Sequence, residues 1–234
     1  MSTPQRIHDA IQTLSALLPN PTSPRVVIGL VGLPGAGKST WAQRWIDAVN
    51  AAHATTACTD RPVALALGMD GFHLSRAELK MLPDPQLALA RRGAPWTFAP
   101  QRLRAHLMQL RATDAHGQPA PMRWPDFDHR EADPVDQALD VPPSARLIVV
   151  EGLYLLLRDP QWALRDAFDA VWFLDVSRAQ ANDQLAARHC QAWGWTPTQA
   201  QARIAASDAL NADIVEATKE WADAWVRPPG LEPG

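Results

Sequence analysis

Four short apolar runs, rich in β-branched residues, recur along the chain and are separated by stretches with helical spacing. Residues 25–31, 63–68, 147–151 and 170–175 are continuous hydrophobic runs, the pattern of strands buried on both faces of a parallel sheet. Between them, residues 38–52 place Trp41, Trp45 and Val49 on one helical face, and residues 100–112 do the same with Leu103, Leu107 and Leu110. Residues 4–18 predict a leading helix, with Ser2 or Thr3 as its cap and Ile7, Ile11, Leu14 and Leu18 on one side. A Pro-rich breaker at 19–24 follows it.

Further helices are expected over 178–192, 196–206 and 211–220, with a break at Gly194 and a short last strand at 224–227. Residues 74–99 carry Pro83, Pro85, Gly93 and Pro95 and read as a short helix with loops. Residues 114–145 carry six prolines and read as a long loop, which in a compact domain usually has a function. Residues 228–234 read as a frayed tail. Strands alternating with helices give an α/β class.

The first strand feeds the most informative segment. Gly32, Leu33, Pro34, Gly35, Ala36, Gly37, Lys38, Ser39 and Thr40 run in that order and fit the phosphate-binding pattern G-x-x-x-x-G-K-[ST]. Glycines let successive backbone N–H groups turn toward phosphate oxygens, and the following helix adds its N-terminal donors. Lys38 can reach the β- and γ-phosphates, and the Ser39 hydroxyl is placed to ligate Mg²⁺. A strand before the loop and a helix after it supply the context that a bare motif lacks. The expected ligand is a nucleoside triphosphate with magnesium.

Bulk properties narrow the class. At 234 residues and 47% hydrophobic content the chain suits one globular domain with a small insertion. A net charge of −3 gives no support for nucleic-acid binding. No apolar run approaches the length of a membrane span and no signal-like segment opens the chain. Two cysteines, Cys58 and Cys190, read as reduced thiols in a cytoplasmic protein. Ten tryptophans against one tyrosine imply packing roles for most, and Trp-rich helix faces would permit a homodimer.

In open parallel sheets ligands sit at the carboxyl ends of the strands. The second strand stops at Asp70, which could accept a proton from a substrate hydroxyl or help hold Mg²⁺. The third stops at Glu151, the place for an acid that orders Mg²⁺. Asp175 ends the fourth and reads as loop support or a helix cap.

Taken in order, 32–40, Asp70-Gly71-Phe72-His73, Arg91-Arg92-Gly93-Ala94-Pro95, Pro125-Asp126-Phe127-Asp128-His129 and Val149-Val150-Glu151-Gly152-Leu153-Tyr154 resemble the phosphoribulokinase/uridine kinase family of P-loop small-molecule kinases. The resemblance runs from about residue 25 to residue 227, with Asp-Gly-Phe-His similar to pantothenate kinases and the Arg-Gly-Ala-Pro and Phe-Asp-His segments closer to a nucleoside/nucleotide kinase-like or fructose kinase branch. It implies a P-loop three-layer α/β sandwich with a mostly parallel sheet, a helical lid over 178–209 and a substrate-facing insertion over 74–145, all in one domain covering 1–234.

The resemblance also implies roles. Asp70 would activate the acceptor hydroxyl, Glu151 would lie near Mg²⁺, and Lys38 and Arg188 would act on the transferring phosphate of ATP. His73, Arg92, Phe127, Asp128, His129, Tyr154 and Asn211 become candidates for acceptor contacts. Plainer readings stand beside these: Phe127 as core, His73 and His129 as surface residues, Arg91 and Arg92 as a solvated pair, Asn211 as a helix cap. The chain departs from the family pattern at Gln184, where an arginine is common, leaving lid chemistry to Arg188 or to Arg178 reaching in. Ala99 replaces an expected acid. The implied function is transfer of the γ-phosphate of Mg-ATP to a hydroxyl of a small metabolite: a nucleoside, a sugar or a pantothenate-like alcohol. The rival reading is an NTP-hydrolysing switch or metallochaperone-type GTPase acting on a protein partner, although no GTP base-reading motif and no cysteine-rich cluster is present.

Overall fold

The structure, a computed structural model, describes residues 5–18, 25–57, 61–128 and 130–229. The buried runs form a six-stranded sheet of β1 (Gln5–Ile7), β2 (Val26–Val31), β3 (Ala64–Gly68), β6 (Leu147–Gly152), β7 (Ala170–Leu174) and β8 (Ala224–Val226). Their order is β1-β8-β7-β2-β6-β3, and every pairing is parallel. The core strands are apolar throughout because helices cover the sheet. Val27, Leu30, Leu147, Ile148, Val150, Val171 and Leu174 are fully buried.

The phosphate-loop helix, α2 (Lys38–Ala57), continues five residues past the span that periodicity predicts. It buries Trp45, Ile46 and Val49. Two shorter helices, α3 (Arg76–Lys80) and α4 (Pro85–Ala90), occupy the segment read as a short helix with loops, and α5 (Pro100–Leu110) buries Leu103, Leu107 and Leu110. The α3 helix starts in a capping box, with Ser75 and Glu78 each bonding the other's backbone N–H. After β7 come α6 (Arg178–Trp193), α7 (Pro197–Arg203), a π-helical turn over Ile204–Asp208, and α8 (Ala209–Glu216). Gly194 closes α6 in the left-handed conformation, φ +64°.

Two expectations fail. The leading helix does not begin at Pro4: residues 5–7 pair as β1 with β8, and α1 (Ala10–Ala16) starts later, capped by Asp9, whose carboxylate accepts from Gln12 N at 2.9 Å. An open edge of parallel sheet offers a ladder to the chain, and that outweighs the helical spacing of Ile7 and Ile11. The cap expected at Ser2 or Thr3, the breaker over 19–24 and the end of the tail from 230 onward lie outside the described residues, as does Cys58.

The second failure concerns 114–145. That stretch is not a loop but contains a two-stranded antiparallel ribbon, β4 (Met122–Asp128) with β5 (Asp133–Val141). Prolines hid it. Pro125 falls where the register shifts between Trp124 and Asp126, and Pro134 sits opposite Phe127 near the ribbon tip, positions where a missing N–H is tolerated in a two-stranded ribbon. Gln137, at φ +54°, marks the same irregularity on the other strand.

Two buried polar side chains fix the ribbon against the sheet. Trp124 is fully buried and donates its indole N–H to the Gly68 carbonyl at 2.9 Å. Arg25, 3% exposed, donates to the carbonyls of Ala145 (2.9 Å), Ala120 (3.0 Å) and Pro142 (2.9 Å), gathering both roots of the ribbon. Burial, with Arg146 nearby, lowers its pKa to about 10. Among the described residues no helix is long and apolar enough to cross a membrane.

Candidate active site

The loop between β2 and α2 is shaped by two glycines in the left-handed region, Gly35 and Gly37, each at φ +81°. A Cβ on Gly35 would lie 2.2 Å from the Ala181 carbonyl oxygen, so the loop and α6 meet backbone to backbone. Lys38 is buried and donates to the Gly32 carbonyl at 2.9 Å and the Leu33 carbonyl at 3.0 Å. Leu33 and Ala36 are buried, so what they offer an anion is backbone.

The strand ends converge on this loop. Parallel pairing of β2 with β6 sets Leu30 opposite Glu151 and Val31 opposite Gly152, which brings Glu151 to the start of α2. Ser39 Oγ donates to Glu151 Oε1 at 2.8 Å. Asp70 opens a single 3₁₀ turn (Asp70–Phe72) just past β3. That turn requires glycine next: a Cβ on Gly71 would lie 2.3 Å from the Pro125 carbonyl oxygen, so β4 passes directly over it.

These groups share one cavity of about 340 Å³, lined by Pro34, Gly35, Gly37, Lys38, Ser39 and Thr40 on the loop side. Asp70, His73 and Glu151 line it from the strand ends, Arg188 from α6 and Asn211 from α8. Their charges are interdependent. Burial lowers the Lys38 pKa while Glu151 and Asp70 oppose that shift. Burial and the Asp70 charge push the Glu151 carboxyl up to about 7, against the pull of Lys38, the Ser39 hydroxyl and Arg188. Among the described residues Arg188 makes no ion pair. Arg178 is different: it is bound to Asp213 at 2.6 Å, to Glu216 at 3.2 Å and to the Ala209 carbonyl, so it does not reach in. Gln184, on α6, lines the cavity and faces Gly37.

The donor set fits magnesium. Ser39, Glu151 and Asp70 offer hard oxygens, and among the described residues no cluster of three or more metal-ligating side chains occurs. Mg²⁺ is commonly held by one or two carboxylates together with substrate phosphates, so a sparse protein shell matches an ion that arrives with a nucleotide.

Several predicted acceptor contacts lie elsewhere. Tyr154 is 1% exposed, and its hydroxyl donates to the Gly93 carbonyl at 2.6 Å; it packs edge-on to Phe98 and Trp162 in the core. Arg92 braces the insertion: it pairs with Asp133 at 3.2 Å and donates to the carbonyls of Leu74 and Ala132. Asp128 accepts from Arg130 N at 2.7 Å and Glu131 N at 3.2 Å, capping the ribbon turn. Each is drawn away because its polar atoms meet partners in the fold. His129 lies outside the described residues.

Phe127 faces a second recess of about 210 Å³, next to Gln43, Asp126 and the far side of Asp70 and Glu151. Its ring centre lies 4.8 Å from that of His73 with the planes tilted by 45°, His73 lies 3.9 Å from Phe98 with a tilt of 35°, and the Arg92 guanidinium sits 5.1 Å from the Phe127 ring centre. His73 is further fixed by its Nδ1 at 2.8 Å from the Asp70 carbonyl. Phe98, Leu153 and Asp208 also line the larger cavity, and the sequence reading assigns none of them a role, although Leu153 stands within the 149–154 motif. Asp175 is buried and paired with Lys219 and Arg227, each at 2.7 Å, which binds β7 to the end of the chain.

No family model matches the chain. The ATP-dependent kinase-like protein notR' of Aspergillus versicolor is 40% identical over 150 residues, 63% of this chain and 86% of that protein. A provisionally named uridine kinase of Schizosaccharomyces pombe is 36% identical over 199 residues, 82% of this chain and 78% of its own. Among solved structures, a provisionally identified fructose transport system kinase from Silicibacter sp. TM1040 matches with a TM-score of 0.75 and 29% identity, over 92% of this chain and 98% of that one.

Proposed function

The chain belongs to the phosphoribulokinase/uridine kinase family of P-loop kinases, and from that premise we propose that it transfers the γ-phosphate of Mg-ATP to a hydroxyl of a small metabolite. One observation carries the reading: Ser39 and Glu151, joined at 2.8 Å, border the same cavity as Lys38, Asp70 and Arg188. A site that only bound nucleotide would have no use for a second acid, Asp70, and an arginine, Arg188, in the same lining.

In this reading the loop amides and Lys38 hold the phosphate chain. Ser39 and Glu151 would hold the cation, with Asp70 beside them. Mg²⁺ bound there would neutralise charge on the β- and γ-phosphate oxygens. Asp70 is the group that accepts the proton of the acceptor hydroxyl as its oxygen attacks phosphorus and the bond to ADP breaks, while Glu151 is engaged by Ser39 on the cation side. Arg188 stabilises the charge spread over the transferring phosphoryl group. The names of the relatives, an ATP-dependent kinase-like protein and a provisional uridine kinase, support ATP as donor.

The test is ADP release with a metabolite panel. The full chain should turn over ATP faster when the right alcohol is added, and Asp70→Asn should lower that rate by about two to four orders of magnitude while keeping nucleotide binding. An undiminished rate in Asp70→Asn would remove Asp70 from the chemistry.

A further inference from the structure

One face of α6 is held against the phosphate loop. A Cβ on Gly35 would lie 2.2 Å from the Ala181 carbonyl oxygen and 2.8 Å from Leu185 Cβ, and both Ala181 and Leu185 are buried. Contact this close leaves the helix no room to slide along the loop. Gln184 and Arg188 stand three and seven residues on from Ala181, on the same helical face. These are the residues that α6 contributes to the cavity lining.

Gln184 sits over the last glycine of the loop. A Cβ on Gly37 would meet Gln184 Oε1 at 3.6 Å and Trp41 Cδ1 at 3.4 Å. Gly37 is at φ +81°, part of the turn that aims loop N–H groups at an anion. Among the described residues the Gln184 side chain makes no hydrogen bond, and it is exposed at the cavity. Its amide therefore has two N–H donors unspent beside the loop that would cradle the phosphates.

Arg188, one turn further on, shows where this face of the helix leads. Its charge acts on both Lys38 and Glu151, the groups expected at the γ-phosphate and the cation. Gln184 lies one turn back from it, over the part of the loop whose backbone N–H groups hold the phosphates nearer the base. Arg178, at the start of the helix, is tied to Asp213 and Glu216. The donors that α6 turns to the cavity are thus one guanidinium and one amide.

Resting on the phosphotransferase reading, we propose that Gln184 donates its side-chain amide to the β-phosphate of the bound nucleotide and so serves as a second phosphate-binding residue of α6 beside Arg188. A bond from an amide N–H to an ionised phosphate oxygen is of the stronger, charge-assisted kind. It adds direction without adding charge, which leaves Arg188 as the cation that this helix brings to the site. When the bond between the γ-phosphorus and ADP breaks, its electron pair stays on the ADP oxygen. A donor on the β-phosphate then stabilises the departing group as well as the bound nucleotide.

The experiment measures binding of ATP, ADP and AMP by calorimetry, and acceptor-dependent ADP release, in the full chain and in Gln184 variants. Gln184→Ala should weaken ATP and ADP about 10–100-fold, the scale of one hydrogen bond to a charged group, and leave AMP unchanged. Its kcat should fall while the KM for the acceptor stays put. The melting temperature without nucleotide should hold, because the side chain is exposed and bonds nothing in the fold. Gln184→Glu keeps the shape, loses the donors and faces phosphate with like charge, so it should bind ATP more weakly than Gln184→Ala. Gln184→Arg should restore ATP and ADP binding, with a steeper salt dependence than wild type because its donor is charged. Unchanged ATP and ADP affinity in Gln184→Ala, an equal loss for AMP, or wild-type binding in Gln184→Glu overturns this inference and leaves the kinase reading standing. If ATP binds but no alcohol accelerates ADP release, the kinase reading itself falls, and the binding data still judge Gln184.

Discussion

Ser39 Oγ donates a 2.8 Å hydrogen bond to Glu151 Oε1, joining the first turn of the phosphate-loop helix to the carboxyl end of the neighbouring strand. These residues are far apart in sequence, and the parallel register of Leu30 with Glu151 is what brings them together. Ser39→Ala should leave nucleotide binding at saturating Mg²⁺ but raise the Mg²⁺ concentration for half-maximal ADP release by about 10–100-fold, the scale for losing a group that supports a metal site. A magnesium titration of both proteins decides it.

Arg188 and Arg178 stand on the same helix, but among the described residues only Arg178 is ion-paired. Arg188→Ala should cost about 10³-fold in kcat, the lower end for a transition-state arginine, with the KM for ATP changed far less. Arg178→Ala removes partly exposed pairs with Asp213 and Glu216, so it should cost no more than about 1 kcal/mol of stability and leave kcat near wild type. Steady-state kinetics and urea melts of the two variants separate the roles.

Gly35→Ala introduces a methyl 2.2 Å from the Ala181 carbonyl at a backbone φ of +81°. Either the loop or α6 must move. Stability should drop by about 1–3 kcal/mol, and ATP affinity should fall with it. Thermal melts with and without ATP would show both losses.

Asp175 gives a pH signature. Burial alone would raise its pKa, but the hydrogen bonds from Lys219 and Arg227 outweigh that and hold the carboxyl below the ordinary range. A depressed acid contributes stability that is present above its unfolded pKa of about 3.9 and lost as pH falls through the folded value. Asp175→Asn should therefore destabilise the protein by about 2–3 kcal/mol at neutral pH, with Lys219 and Arg227 partly wetted. Below about pH 4 the difference from wild type should narrow. Urea melts at pH 7 and pH 3 test the sign.

Tyr154→Phe removes the donor to the Gly93 carbonyl at 2.6 Å. Its expected cost is about 1–3 kcal/mol, because a buried carbonyl loses its partner. The KM for the acceptor should stay put, since the ring packs in the core with Phe98 and Trp162. A large KM change without a change in melting temperature would return Tyr154 to the substrate pocket.

The sequence by itself determined the parallel sheet, the phosphate loop and the two acids at the strand ends, because those features depend on local order. A continuous run such as residues 147–151 has to be buried on both faces, and an acid that ends it has to emerge at the carboxyl edge. Tertiary structure alone decided which polar side chains remain available. Arg92, Asp128 and Tyr154 sit in motif-like segments, yet Asp133, a ribbon turn and the Gly93 carbonyl absorb their polar atoms. Asp208 is assigned no role by the sequence reading, yet a π-helical turn sets it in the cavity lining. The ribbon over 122–141 was hidden for a related reason. Its prolines stand at a register shift and near a tip, places that a two-stranded ribbon permits and a local pattern does not reveal. Local pattern fixes where the chain must be buried, whereas a side chain's freedom depends on partners that only the folded chain brings within reach.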